Sequence, residues 1–118
     1  AMRSGESFEQ MAKALTGLRV DAVMAMCSDP EGISASLPKM RKAFDLPLGA
    51  YANLGYKRSQ RPVDYPQTQF HVIDSSEYPP ARYAEYARRW RGMGAQIVGG
   101  CCGSGPEHIA AIREPAQI

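Results

Sequence analysis

Two of the three cysteines stand side by side in the stretch Gly99-Gly100-Cys101-Cys102-Gly103-Ser104-Gly105-Pro106-Glu107. Neighbouring cysteines reach each other's sulfur only through a strained eight-membered ring with a distorted peptide, far from ordinary disulfide geometry. A soft metal shared by both thiolates is the easier reading of such a pair. The glycines on either side remove Cβ atoms that would keep another backbone or a ligand away, and they permit the positive φ that a tight turn at a strand end often needs. The third cysteine, Cys27, closes an earlier apolar run and precedes Ser28-Asp29-Pro30-Glu31. By itself such a residue reads as a small buried hydrophobe. Only placement beside the pair would make it a ligand. Three cysteines, an odd number, argue against a secreted disulfide framework and for reduced thiols with a chemical use. A thiol redox protein is a weaker reading, because the CxxC spacing of that chemistry is missing.

The elements that must position these thiols alternate between helix and strand. Ser7, with Gln10 reaching back, predicts a capped helix with Phe8, Met11 and Leu15 on one face, stopped at Gly17. Val20 to Cys27 reads as a buried strand. Ser28 to Glu31 repeats the capping spacing ahead of Ile33, Leu37, Met40 and Phe44, and Pro38 predicts a kink or break near Ser36. Pro47 to Asn53 is the second strand. Residues 54–79, with Pro62, Pro66 and Pro79, read as a long loop within which Gln67 to Ile73 could form a short strand. Pro80 opens a helix whose apolar face carries Tyr83, Tyr86, Ala87 and Trp90, with its arginines in solvent, and Gly94 ends it. Ala95 to Gly100 is the third strand, and Pro106 to Arg113 the last helix.

Both cysteine-bearing strand ends run through a serine, a proline and a glutamate into a helix, a weak internal repeat. Successive strand-helix units imply an α/β fold with parallel strands and right-handed crossovers, so the strand C-termini open on one side. That rim would gather Cys27, Asn53 and the Cys101-Cys102 pair, and it is where α/β folds bind ligands. Asn53 is equally a turn residue and a candidate substrate contact. His71 and His108 read as surface or capping residues, and Glu31 and Glu107 as helix N-terminal carboxylates before any catalytic role.

Composition narrows the class. A chain of 118 residues with 44% apolar content supports one modest domain. A net charge of +2 with both signs interspersed gives no case for nucleic acid or an anionic membrane. No apolar run approaches a bilayer span, and the N-terminus has neither a signal nor a transit pattern, so the cytoplasm is the expected location. Ala1-Met2 reads as an expression scar and is set aside.

GGCCGSGPEHIAAIR after an apolar strand, a lone cysteine closing an earlier strand before a proline-glutamate helix start, and Tyr51-Ala52-Asn53-x-Gly55 between them resemble the C-terminal part of the homocysteine S-methyltransferases. The resemblance runs from about Arg3 to Arg113 and makes residues 3–118 the C-terminal portion of such a domain. It implies a zinc ion on three cysteine thiolates at the rim of a (β/α)8 TIM barrel, and by position these are Cys27, Cys101 and Cys102. It also implies that the thiol of homocysteine is the further zinc ligand and accepts a methyl group from a small donor to give methionine. Met26 stands where members carry Asn before the first cysteine, and Tyr56 follows Gly55 where several carry Glu. Those departures touch amino-acid recognition more than metal binding.

A full barrel needs roughly 250 residues, so the chain is expected to form its last three strand-helix units, an incomplete barrel with exposed apolar edges. A second copy, making a homo-oligomer, or a missing N-terminal half-barrel should cover them. The fragment alone is expected to be inactive. The alternative is a truncated or degenerate zinc-binding or assembly module without catalysis.

Overall fold

The computed structural model describes residues 2, 4–58, 70–72 and 75–113. The first helix, α1 (Phe8–Ala14), starts at Ser7, whose hydroxyl accepts the Gln10 N–H while the Gln10 side chain accepts the Ser7 N–H. Strand β1 (Val23–Met26) leads into α2 (Pro30–Ala43), and β2 (Leu48–Ala52) follows. Next come β3 (Tyr56–Arg58), β4 (Phe70–Val72) and a single 3-10 turn at Ser75–Glu77. Helix α3 (Pro80–Gly92), strand β5 (Ala95–Gly100) and helix α4 (Pro106–Arg113) complete the order. The three strand-helix units are those the sequence predicts.

Strands β1, β2 and β5 form one parallel sheet with β2 in the centre. The face toward the helices carries Val23, Leu48, Ala50, Ala52 and Ala95, packed with Ile33, Leu37 and Met40 of α2, Tyr83, Ala87 and Trp90 of α3, and Ile112 of α4 in one core. Because side chains alternate along a strand, the other face presents Met24 and Met26 of β1 and Ile97 of β5, 39%, 57% and 43% exposed. Met24 and Ile97 lean over Gly49 between them, where a Cβ would come within 2.7 Å of the Met24 side chain. Among the described residues, helices cover one face only. Among the described residues, β1 and β5 each pair on one side, so the sheet is open at both edges. No helix among them is long and apolar enough to cross a membrane.

Several expectations change in detail. Helix α2 runs unbroken through Pro38. Ile33, Leu37 and Met40 are all buried around that position, and their burial holds the helix across the one backbone bond proline cannot donate. Its N-cap is Asp29 rather than Ser28, with Pro30 at the first helical position. Residues 54–79 are not a plain loop: β3 and β4 pair antiparallel from Tyr56↔Val72 to Arg58↔Phe70. Residues 59–69 and 73–74 of that segment, with Pro62, Pro66 and Ile73, lie outside the described residues.

Polar contacts tie α2 to α3. Trp90 Nε1 donates to Ser34 Oγ at 2.9 Å, and the Tyr86 hydroxyl donates to a Glu31 carboxylate oxygen. Burial, then the bond to Glu31, pushes the Tyr86 hydroxyl up to about 12, so the neutral phenol is the form that donates.

Candidate metal centre

The parallel ladder continues past the strand ends and laces the rim together through the backbone. Cys27 N–H donates to Tyr51 O (3.2 Å), Asn53 N–H to Ser28 O (2.9 Å), Cys101 N–H to Ala52 O (3.1 Å) and Leu54 N–H to Cys102 O (2.7 Å). Each cysteine-bearing turn is therefore fastened to the end of β2, which fixes where its sulfur can go. Cys27 itself sits at φ 51°, in the left-handed region. A side chain there costs on the order of 1–3 kcal/mol, and such strain persists where the surroundings over-determine it, often at functional sites.

The glycines act by close approach. Gly103 has φ 77°, and a Cβ on it would fall 2.7 Å from Gly55 N and 2.9 Å from Leu54 C. Only glycine lets the cysteine turn lie this close to the β2 end. Ser104 closes the turn, its N–H (3.1 Å) and Oγ–H (2.6 Å) both donating to Cys101 O. Beneath the rim, the buried Tyr83 hydroxyl donates to Gly99 O at 2.6 Å and accepts Ala52 N–H at 3.2 Å, joining β5 to β2 two residues before Cys101. Burial raises the pKa of this hydroxyl, which keeps it protonated for the bond to Gly99.

The result is one cluster. The sulfurs of Cys27, Cys101 and Cys102 all lie within 4.8 Å of one another, and Cys101 and Cys102 Sγ are 3.9 Å apart. Thiolates about 2.3 Å from a tetrahedral zinc stand about 3.8 Å from each other, so the pair already has the spacing of two ligands. Cys102 is exposed, leaving one side of the cluster open to solvent. The expectation of three reduced thiols is corrected in one respect: Cys27 and Cys101 are joined as a disulfide, their Cα atoms 6.0 Å apart. Two strand ends laced to the same neighbour bring those sulfurs into bonding range. Three sulfurs converging on one point fit a soft divalent ion once that bond is reduced, and Cys27, Cys101 and Cys102 would hold it.

Asn53 is 1% exposed, and its Oδ1 accepts Gly55 N–H at 2.8 Å, so its carboxamide shapes the turn after β2. His108, half-buried in the first turn of α4, is a capping residue as read from sequence: its Nδ1 accepts Gly105 N–H at 3.0 Å. His71 pairs with Lys57 through the backbone of β4, in the two-stranded sheet rather than the three-stranded one.

Residues 1–116 match the sequence model described as homocysteine S-methyltransferase. The chain belongs to the homocysteine S-methyltransferase family. Among its relatives, homocysteine S-methyltransferase 1 of Arabidopsis thaliana is 30% identical over 110 residues, which is 92% of this chain and 32% of the relative. The homocysteine S-methyltransferase of Escherichia coli is 26% identical over 113 residues, 95% of this chain and 34% of the relative. Among solved structures, the E. coli homocysteine methyltransferase MmuM in its oxidized form superposes with a TM-score of 0.71 at 26% identity, covering 97% of this chain and 32% of MmuM. The chain thus spans about a third of the length of these homocysteine S-methyltransferases. Within the family fold it supplies an incomplete barrel of three parallel strands.

The sequence singles out the three cysteines that the structure brings together but misses how they are held. The left-handed backbone at Cys27 has no sequence signal, since cysteine is not a residue that favours it. Tyr83 reads as packing alone. Its hydroxyl, which stitches the two strand ends, shows only once β2 and β5 are known to be neighbours.

Proposed function

We propose that this chain is the zinc-binding portion of a methyltransferase that moves a methyl group from a small donor to the thiol of homocysteine, giving methionine. The observation that carries the reading is the convergence of Cys27, Cys101 and Cys102 at the strand C-termini of a chain in this family. Bound zinc lowers the pKa of a coordinated thiol, generating a thiolate nucleophile at neutral pH and fixing its position.

The chain's own residues do the rest. Three thiolates against one Zn2+ sum to a net charge of −1, which keeps an incoming sulfur electron-rich. Exposed Cys102 marks the side from which homocysteine enters. Asn53 contributes by setting the turn beside the sulfurs on which the amino-acid part of the substrate rests. The thiolates must stay reduced, so the working compartment is the cytoplasm, where disulfides are kept open.

Alignment of donor and sulfur can supply about 7–11 kcal/mol of a barrier in favourable cases. Three strands offer little surface for that alignment, so the chain by itself is expected to be inactive. The second reading, a zinc-binding or assembly module without catalysis, rests on the same open sheet.

The test follows methionine formation from homocysteine with S-methylmethionine, betaine and methylcobalamin in turn. It uses the reduced, zinc-loaded chain, alone and mixed with a five-unit N-terminal half-barrel from a relative. Turnover only in the mixture, abolished by Cys102→Ala, supports the methyltransferase and names the donor. Zinc binding without turnover in any mixture favours the module. Turnover by the chain alone contradicts the completion argument.

A further inference from the structure

The cysteine turn is rich in glycine, and the His108 side chain is bonded back into its C-terminal end. Helix α4 begins at Pro106, so Gly105 occupies its N-cap position without a side chain to cap anything. His108, three residues on, supplies the missing contact by accepting Gly105 N–H at Nδ1, 3.0 Å away. Its other nitrogen, Nε2, lies 2.7 Å from Tyr78 O. A backbone N–H can only donate and a carbonyl can only accept, so Nδ1 is bare and Nε2 carries the proton. One neutral tautomer satisfies both. The ring also meets Tyr83 edge to face, centroids 5.8 Å apart. From His108 a continuous set of contacts then leads through Gly105 to Ser104, which bonds Cys101 O twice, and through Tyr83 to Gly99 O.

We propose that His108 is a positioning residue for the metal centre: through the tautomer fixed by Gly105 and Tyr78, it clamps the Cys101-Cys102 turn so that both thiolates face the third. This rests on the proposed zinc site and concerns no contact of His108 with metal or substrate. The clamp matters because Gly103 and Gly105 leave the turn with few conformational restraints of its own. A ligand set loosened by a few tenths of an ångström binds metal less tightly, and loss of a residue that orients ligands commonly costs about 10- to 100-fold in affinity.

The same chain shows which substitution should rescue the clamp. In α1, Gln10 also stands three residues after its N-cap and accepts the Ser7 N–H at 2.8 Å. His108→Gln can therefore accept Gly105 N–H, whereas His108→Phe keeps a ring against Tyr83 and offers no nitrogen. Zinc affinity of the reduced full chain is measured by competition with a chromophoric chelator, beside thermal unfolding of the metal-free protein. The intensity of the thiolate charge-transfer bands with Co2+ gives a second reading of the ligand geometry.

The expected result is a loss of zinc affinity of about 10-fold or more in His108→Phe, with dimmer Co2+ bands, and recovery of both in His108→Gln. Equal affinity in all three proteins overturns the inference, as does a His108→Gln as weak as His108→Phe. A reduced wild type that binds no zinc overturns the metal-centre reading and this inference with it. Should His108→Phe not fold, hydrogen exchange in metal-free wild type decides: a protected Gly105 amide supports the clamp, and a freely exchanging one overturns it.

Discussion

Cys27 and Gly103 both hold left-handed backbone, and they illustrate two ways of placing a sulfur. At Cys27 a side chain is carried on that backbone at a conformational cost, whereas at Gly103 glycine avoids the cost where a side chain would collide. The collision at Gly103 is with backbone, 2.7 Å from Gly55 N, and cannot be relieved by a rotamer change. At Gly105 the one close approach of a Cβ would be to the end of the flexible Glu107 side chain, at 2.8 Å, with His108 Nδ1 at an ordinary 3.9 Å. Gly103→Ala is therefore expected to lower stability by roughly 1–2 kcal/mol from φ alone, more once the turn shifts, and to weaken zinc binding. Gly105→Ala is expected to stay within about 0.5 kcal/mol of the parent. Urea unfolding and chelator competition on the two variants check this, and similar behaviour of both would contradict the close-approach account. The glycines around the cysteines are visible in the sequence. That Gly103 is required is not, because its requirement comes from Leu54 and Gly55, about fifty residues away.

At the scale of elements, Pro80 and helical periodicity made the start and buried face of α3 readable, since Tyr83, Tyr86, Ala87 and Trp90 fall on one face and all are buried, and β5 has the span Ala95–Gly100 read from its apolar run. The capping box at Ser7 and Gln10 was equally legible, being a local contact. The misreadings have tertiary causes. Pro38 is a helix breaker in isolation, yet packing of Ile33, Leu37 and Met40 outweighs it. Strand β4 falls inside the Gln67–Ile73 segment that alternation marks as a possible strand, whereas its partner β3, three residues long, is too short for alternation to register. Tyr83 links elements most directly, and its aromatic bulk hid its polar role. Tyr83→Phe leaves Gly99 O and Ala52 N–H without this partner at about 1–3 kcal/mol for each buried group. Denaturant unfolding, followed by the fluorescence of the single, fully buried Trp90, is expected to show a loss of at least about 1 kcal/mol. A loss below about 0.5 kcal/mol would mean that the hydroxyl does not staple β2 to β5.

For the whole molecule, the decisive feature is a sheet that, among the described residues, packs one face on helices and leaves exposed side chains on the other. Met24, Met26 and Ile97 form an exposed apolar strip, and β1 and β5 carry unpaired edges among the described residues. Parallel sheets are ordinarily buried on both faces, and three strands bury little by themselves. Light scattering of the purified chain is expected to show a dimer or larger species, reverting to a defined complex when an N-terminal half-barrel is supplied. A monomer that unfolds cooperatively would contradict this. The sequence indicated the incomplete barrel through its count of strand-helix units, whereas the disulfide between Cys27 and Cys101 could not be read from it, because their approach depends on both strand ends being laced to β2.

The central claim, that three cysteines of this chain form a centre that takes up the thiol of homocysteine, is tested most directly by zinc X-ray absorption on the reduced, zinc-loaded chain with and without homocysteine. The expected spectra show three sulfurs at about 2.3 Å in the chain alone and four when homocysteine is added. A protein that retains no stoichiometric zinc, or a sulfur count that homocysteine leaves unchanged, would contradict the claim.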